Sequence, residues 1–400
     1  MHPVPDATKE NAMPRTRERY LLGCMVGQIA LLLCLMSPFA AGQEKTSETD
    51  PRLGRWLKRF PEADTDGDGV LTAKEAMAYR EELKGKRGRS RGKQGGKVRP
   101  YKIPPTHENV QYGPHERNVF DFWQAESTEP TALVVFIHGG GFVGGDKSKA
   151  SPFIVQGCRD AGVSFMSINY RFREHAPIQD ILRDAARAVQ FVRQNAGKYR
   201  IDPKRIACYG GSAGAGTSLW LAVHDDLADP NSEDPVLRQS SRIAVAGCLN
   251  GQATYDLTEW EEVIGPFKEE WRRSPNEKVE FYHLKSEADL DTPEGKKILA
   301  DCSMLRQISS GDAPVFMSCS QPNEEPKNRG HYVHHPRHAL AVKEKCESAG
   351  VECVTVLRED DRKGANPQQQ LLQFLLKHLG VQPKGESGQK TGKDTEGQQR

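Results

Sequence analysis

The chain has 400 residues, and its 56 Lys and Arg nearly balance 54 Asp and Glu for a net charge of +2. That length permits one large α/β domain with small additions, and the near-neutral balance gives no general case for nucleic acid or acidic partners. The 37 glycines and 25 prolines are partly concentrated in linkers.

The chain opens on a basic stretch, Arg15, Arg17 and Arg19, followed by a mostly apolar run from Tyr20 to Met36 and the small residues of Ser37-Pro-Phe-Ala-Ala-Gly42. This order predicts a signal peptide over 1–42 and an exported protein, periplasmic or extracellular. The alternative is an uncleaved segment that anchors the chain in a membrane, because the run approaches bilayer-spanning length. Cys24 and Cys34 lie in this segment. Cys158, Cys208, Cys248, Cys302, Cys319, Cys346 and Cys353 remain, an odd number that leaves at least one thiol free or intermolecular.

Residues 50–83 form a unit of their own. Leu53, Trp56, Leu57 and Phe60 fall at i, i+3, i+4 and i+7, one apolar helical face. Asp64-Thr-Asp-Gly-Asp-Gly-Val-Leu-Thr-Ala-Lys-Glu75 follows, and it resembles the loop of an EF-hand at every defining place. The resemblance implies calcium as the cofactor. Asp64, Asp66 and Asp68 would give side-chain oxygens, Val70 its carbonyl and Glu75 a bidentate carboxylate, with Gly69 at the sharp turn. Only one such loop is visible, which points to weak binding and a structural or docking role. Residues 84–108 are rich in Lys, Arg, Gly and Ser and read as a basic disordered linker, with a weak surface contact as its sharper alternative. Residues 381–400 read as a disordered tail.

Between 109 and 380 the pattern is strand and helix in alternation. Tyr112-Gly-Pro with Asn118 to Trp123 suggests an opening hairpin. Leu133 to Ile137, Val163 to Arg171, Ile206 to Tyr209, Ile243 to Leu249, Pro314 to Cys319 and Cys353 to Leu357 are predicted strands. Apolar helical faces lie between and after them. Buried strands alternating with helices mean a mostly parallel sheet covered on both faces, the α/β class. Residues 252–311 lack a strand rhythm and carry Trp260, Phe267, Trp271, Phe281 and Tyr282 among charges, as a lid over a substrate pocket would.

At Gly210-Gly-Ser-Ala-Gly214 an apolar strand meets a sharp glycine turn and then a helical run, which fits the G-x-S-x-G nucleophile elbow. With His138-Gly-Gly-Gly-Phe142 and Ile168-Asn-Tyr-Arg171 upstream, the stretch 109–380 resembles the α/β-hydrolase esterases. The branch is that of the hormone-sensitive-lipase-like carboxylesterases and the bacterial feruloyl and acetyl-xylan esterase-like proteins. The resemblance implies Ser212 as nucleophile and the amides of Gly140, Gly141 and Ala213 as an oxyanion hole. It implies an ester substrate, free or linked to a polysaccharide.

The acid and base depart from that pattern. Asn323 falls where the family has its acid, and Lys363 where it has its histidine. Three rescues follow. A histidine of His331-Tyr-Val-His334-His335-Pro-Arg-His338 reaches the serine, with Glu324 or Glu325 orienting it, and His335 is the residue chosen here. Lys363 acts instead if burial lowers its pKa. Or the site is degenerate, and the fold binds without catalysing.

Overall fold

The computed structural model describes residues 46–79, 103–361 and 366–381. The expected signal peptide, the basic linker up to residue 102, Lys363 and nearly all of the tail lie outside them. The chain falls into two compact units, divided between Gly96 and Lys97. Among the described residues no helix is long and apolar enough to cross a membrane.

In the first unit, helix α1 (Pro51–Arg59) presents Leu53, Trp56 and Leu57, with Phe60 just beyond it, to a small core of Ala63, Leu71, Ala76 and Tyr79. The predicted apolar face is therefore the packing face. The acidic loop follows, and residues 73–79 are helical. Thr46 bridges Thr72 in antiparallel fashion, and Ser47 N–H donates to the Leu71 carbonyl at 2.8 Å. The Ser47 hydroxyl accepts from Leu71 N–H in return, at 2.9 Å. A segment of the same unit thus satisfies the loop backbone that would otherwise lack a strand partner.

The second unit is built on one eight-stranded sheet. Its strands are β1 (His107–Gln111), β2 (Val119–Trp123), β3 (Thr131–Ile137), β4 (Ser164–Ile168), β5 (Ile201–Gly211), β6 (Val245–Leu249), β7 (Val315–Cys319) and β8 (Cys353–Leu357). Their order is β1-β2-β4-β3-β5-β6-β7-β8. The pairs β1–β2 and β2–β4 are antiparallel and all others parallel. The predicted strands are all present, and so is the opening hairpin. The linker expected over 84–108 ends earlier than its composition suggests. Thr106 N–H donates to the Phe122 carbonyl and β1 begins at His107, because backbone pairing with β2 captures these polar residues.

All seven residues of β3 are buried. Leu133, Val135 and Ile137 enter one core, while Ala132, Val134 and Phe136 enter the other. From Ala132 to Ile137 the strand is continuously apolar because its two faces, alternating with a period of two, are both covered. Helices α2 (Pro152–Asp160) and α6 (Pro367–His378) cover one face. Helices α3 (Ile178–Gln194), α4 (Ala213–Val223) and α5 (Pro336–Ala349) cover the other. Parallel strands of this kind bring their carboxyl ends, and the loops that follow them, to one edge of the sheet. Ser212 follows β5, the glycine loop follows β3, and the histidine-rich segment follows β7, so all three meet at that edge.

Candidate active site

The serine sits on a strained turn. Ser212 has φ 52° and ψ −118°, a conformation that L-residues avoid, and its N–H donates to the Leu249 carbonyl at 2.9 Å. The turn is tight enough that a Cβ on Gly214 would collide with the Ile137 carbonyl of β3. Glycine is therefore dictated here by the close approach of helix to strand. The result lifts the serine hydroxyl off the sheet edge at the head of α4.

Its partner is His334. Ser212 Oγ lies 2.7 Å from His334 Nε2. The other ring nitrogen, Nδ1, lies 3.0 Å from the Gly330 carbonyl oxygen. A carbonyl only accepts, so Nδ1 carries the proton and Nε2 presents its lone pair to the serine hydroxyl. This is the tautomer a general base needs. The local fold explains the geometry. Asn328 caps the short helix Arg329–Val333 by accepting from His331 N–H, and His334 is that helix's C-cap. Gly330 therefore holds one of the last carbonyls of the turn, and both the backbone N–H and the side chain of His334 donate to it. Cys319 Sγ and Gln252 Nε2 tie the same segment down through the carbonyls of His334 and Val333. Burial pushes the His334 pKa below its ordinary value, partly offset by the bond to Gly330.

His335, the residue expected to be the base, is turned elsewhere. It is the N-cap of α5, with Pro336 at the first helical position, and its Nδ1 accepts from Arg337 N–H. Its Nε2 donates to the Glu324 carbonyl at 2.8 Å. His331 stacks on it with ring centroids 5.2 Å apart and holds the Pro322 carbonyl. Both rings brace the loop after β7. The expected orienting acids are also absent from the histidines. Glu324 pairs with Lys327 at 2.7 Å and Glu325 with Lys268 at 3.7 Å, both near the surface. Asn323 is exposed. The place of the acid is taken by a main-chain carbonyl.

The glycine loop after β3 faces the serine. Gly140 and Gly141 have φ of 126° and 61°, so their amides adopt directions closed to other residues. Among the described residues, the N–H groups of Gly140, Gly141 and Ala213 donate to no protein acceptor. Gly141, Ser212 and Ala213 line one cleft. His138, which opens the loop, is a buried brace. It stacks on Tyr170 with centroids 4.2 Å apart, its Nδ1 donates to the Gly139 carbonyl, and Tyr170 Oη donates to its own carbonyl at 2.5 Å. Burial brings its pKa down to about 4, so it is neutral.

The cleft encloses about 880 Å³, part of it open to solvent. The region 252–311 supplies most of its far wall, including Tyr255, Trp260, Phe267 and Phe281, as a lid would. Arg173 and Arg273 also line it, and no motif announced them.

Apart from this site, the acidic loop brings the side-chain oxygens of Asp64, Asp66 and Asp68 within 4.8 Å of one another. Gly67 and Gly69 turn with φ of 73° and 83° and donate to the two oxygens of Asp64. This hard, anionic oxygen set fits a calcium ion. Glu75 is held by the N–H and hydroxyl groups of Thr72 and Thr65, which bring its pKa down to about 2 and keep it ionised.

A parallel sheet carrying a serine on an elbow, a histidine on its hydroxyl and a glycine loop facing both defines an α/β-hydrolase. Within that class the chain belongs to the BD-FAE family, whose model matches residues 121–320. A probable isoprenylcysteine alpha-carbonyl methylesterase of Arabidopsis thaliana is 30% identical over 149 residues, 37% of this chain and 31% of that protein. The esterase LipQ of Mycobacterium tuberculosis is 29% identical over 172 residues, 40% of this chain and 39% of that protein. The chain thus spans about a third of the length of these curated relatives. Among solved structures, a truncated carbohydrate esterase from gut microbiota has the same fold. It covers 70% of this chain and 99% of its own, with a TM-score of 0.55 and 18% identity.

Proposed function

We propose that this chain is a serine hydrolase of carboxylic esters. The 2.7 Å contact between Ser212 Oγ and His334 Nε2 carries the reading. Ser212 Oγ attacks the ester carbonyl carbon as its proton passes to His334 Nε2. The negative charge that develops on the carbonyl oxygen falls to the amides of Gly140, Gly141 and Ala213. The tetrahedral species then collapses, the ester C–O bond breaks, and His334 returns the proton to the leaving alcohol. Water attacks the acyl-serine next, losing its proton to the same nitrogen; the acyl C–Oγ bond then breaks, Ser212 Oγ takes that proton back from His334, and the carboxylic acid departs.

A carbonyl in place of the acid fixes the tautomer without adding a negative charge to steady the imidazolium. His334 is therefore a weaker base than one paired with a carboxylate, and it stays neutral at pH 7 because burial lowers its pKa. The 2.7 Å contact of His334 Nε2 with Ser212 Oγ supports this reading over a fold that binds without catalysing.

A polysaccharide-linked ester is the substrate we favour, a choice supported by family membership and by the likeness to a carbohydrate esterase. Export is part of the proposal, supported by the basic and apolar order of residues 15–42. So is calcium in the loop 64–75, supported by the ordered oxygen set. The test is hydrolysis of p-nitrophenyl acetate by the parent chain and by Ser212→Ala. A loss of more than about 10³-fold is expected, together with fluorophosphonate labelling of the parent alone. Equal rates overturn the reading.

A further inference from the structure

The charges of the cleft do not cancel. Arg329 donates to both carboxylate oxygens of Glu277, at 2.5 and 2.9 Å, and the Arg273 main-chain N–H adds a third bond at 3.1 Å. Arg272 is matched by Glu269 at 2.6 Å. Glu280 lines the adjoining hollow and not the cleft, accepts from the Ser274 hydroxyl, and acts on Arg173 only through space, as Glu277 does. Lys278 and Glu261, also on the wall, are of opposite sign. Two guanidinium groups remain. Among the described residues, neither Arg173 nor Arg273 forms an ion pair with a carboxylate.

Both stand beside the glycine loop. Arg173 N–H donates to the Phe142 carbonyl at 2.8 Å, so its backbone is fastened to that loop. Its guanidinium lies 5.2 Å from the Phe281 ring centroid, and its Nε is buried without a hydrogen-bond partner. Arg273 Nη1 lies 3.5 Å from where a Cβ on Gly141 would stand. The same two residues, with Glu277, also line an adjoining outer hollow whose wall carries Glu174 and Glu280. Arg173 is partly buried and Arg273 exposed. A planar guanidinium fork is matched by a carboxylate, and the buried Arg173 Nε without a partner is a place where a ligand atom belongs.

Resting on the ester-hydrolase reading, we infer that the substrate carries a carboxylate close to its scissile ester, bound by Arg173 and Arg273. These two residues set specificity and take no part in proton transfer. The carboxylate has two sources. It belongs to the acyl part, as in a half-ester of a dicarboxylic acid, or to the alcohol part, as in an esterified uronic acid residue.

Binding to the full-length Ser212→Ala chain decides the matter without relying on turnover. Titration compares monomethyl succinate with methyl butyrate for the acyl side, and an O-acetylated methyl glucuronoside with the O-acetylated methyl glucoside for the alcohol side. The anionic member of one pair is expected to bind about tenfold more tightly than its neutral counterpart. The pair that shows the preference names the source. Adding Arg273→Gln, whose side chain is exposed, is expected to lower that preference at least threefold. Arg173→Gln is expected to do the same while its near-ultraviolet circular dichroism matches the parent. No preference in either pair, or a preference undiminished by Arg273→Gln, overturns the inference. Failure to hydrolyse any neutral ester would instead count against the enzymatic reading, which the p-nitrophenyl acetate assay reports separately.

Discussion

His334 Nδ1 lies 3.0 Å from the carbonyl oxygen of Gly330, four residues earlier in the same turn. A group present in every residue thus does the orienting for which the sequence resemblance implied a carboxylate side chain.

The two neighbouring histidines separate cleanly by mutation. His334→Ala removes the base and is expected to lower kcat on p-nitrophenyl acetate by about 10² to 10⁴-fold. His335→Ala removes the N-cap of α5 and is expected to cost about 0.5–2 kcal/mol of stability while leaving the Ser212 to His334 contact in place. Steady-state rates and thermal unfolding of both variants check this. A larger rate loss in His335→Ala than in His334→Ala would reverse the assignment.

The pH dependence follows from the direction of the His334 shift. Catalysis requires the neutral ring, and burial holds its pKa below the ordinary value near 6.5. The acid limb of kcat/KM is therefore expected to inflect below pH ~6.5, with activity level above it. A carboxylate partner would have moved the inflection the other way. Stability falls over a related window. His138 and His338 are buried, with pKa values brought down to about 4 and about 3. As pH falls below ~6.5 the unfolded chain takes up protons that these rings refuse, at about 1.4 kcal/mol per pH unit for each. The loss continues until their folded-state values are reached. Initial rates and chemical denaturation from pH 8 to pH 5 test both statements.

Much of this site was legible in the letters, and the reason is steric. Gly139, Gly140, Gly210 and Gly214 are fixed by close backbone approach, so they announce the turn wherever they stand. The strands were legible because both faces of the sheet are buried, which makes β3 apolar from Ala132 to Ile137 and β7 apolar from Val315 to Met317. The base was misplaced by one residue. Pro336 at the first turn of α5 already implied that His335 would be its cap, which leaves His334 facing the cleft. The Gly330 carbonyl had no letter to betray it. Arg173 and Arg273 were equally silent, because the cleft forms only when residues 173, 273 and 141 are folded together.

Gly214→Ala tests the elbow without touching the reacting atoms. A methyl group there would meet the Ile137 carbonyl, so α4 must move away from β3. Shifts of that size in a packed interior cost about 1–3 kcal/mol. The expected outcome is a lower thermal midpoint together with a loss of activity greater than the loss of folded protein explains. Activity at the parent level would show that the serine tolerates a looser turn.

Calcium is tested on the first unit's loop. Titration of the full-length chain is expected to give binding with Kd on the order of 10⁻⁴ to 10⁻³ M, the range of extracellular modules. Asp64→Ala removes the carboxylate that accepts from both turning glycines and is expected to abolish the signal. Absence of binding in the parent chain would remove calcium from this account.

The imidazole hangs from the connection after β7, and the serine from the end of β5, with only β6 between those strands. Neither edge strand, β1 or β8, carries either of them. Border strands are the first to fray when a sheet is warmed or loaded. Here such fraying leaves the reacting pair assembled, so peripheral melting and loss of turnover should occur at different temperatures.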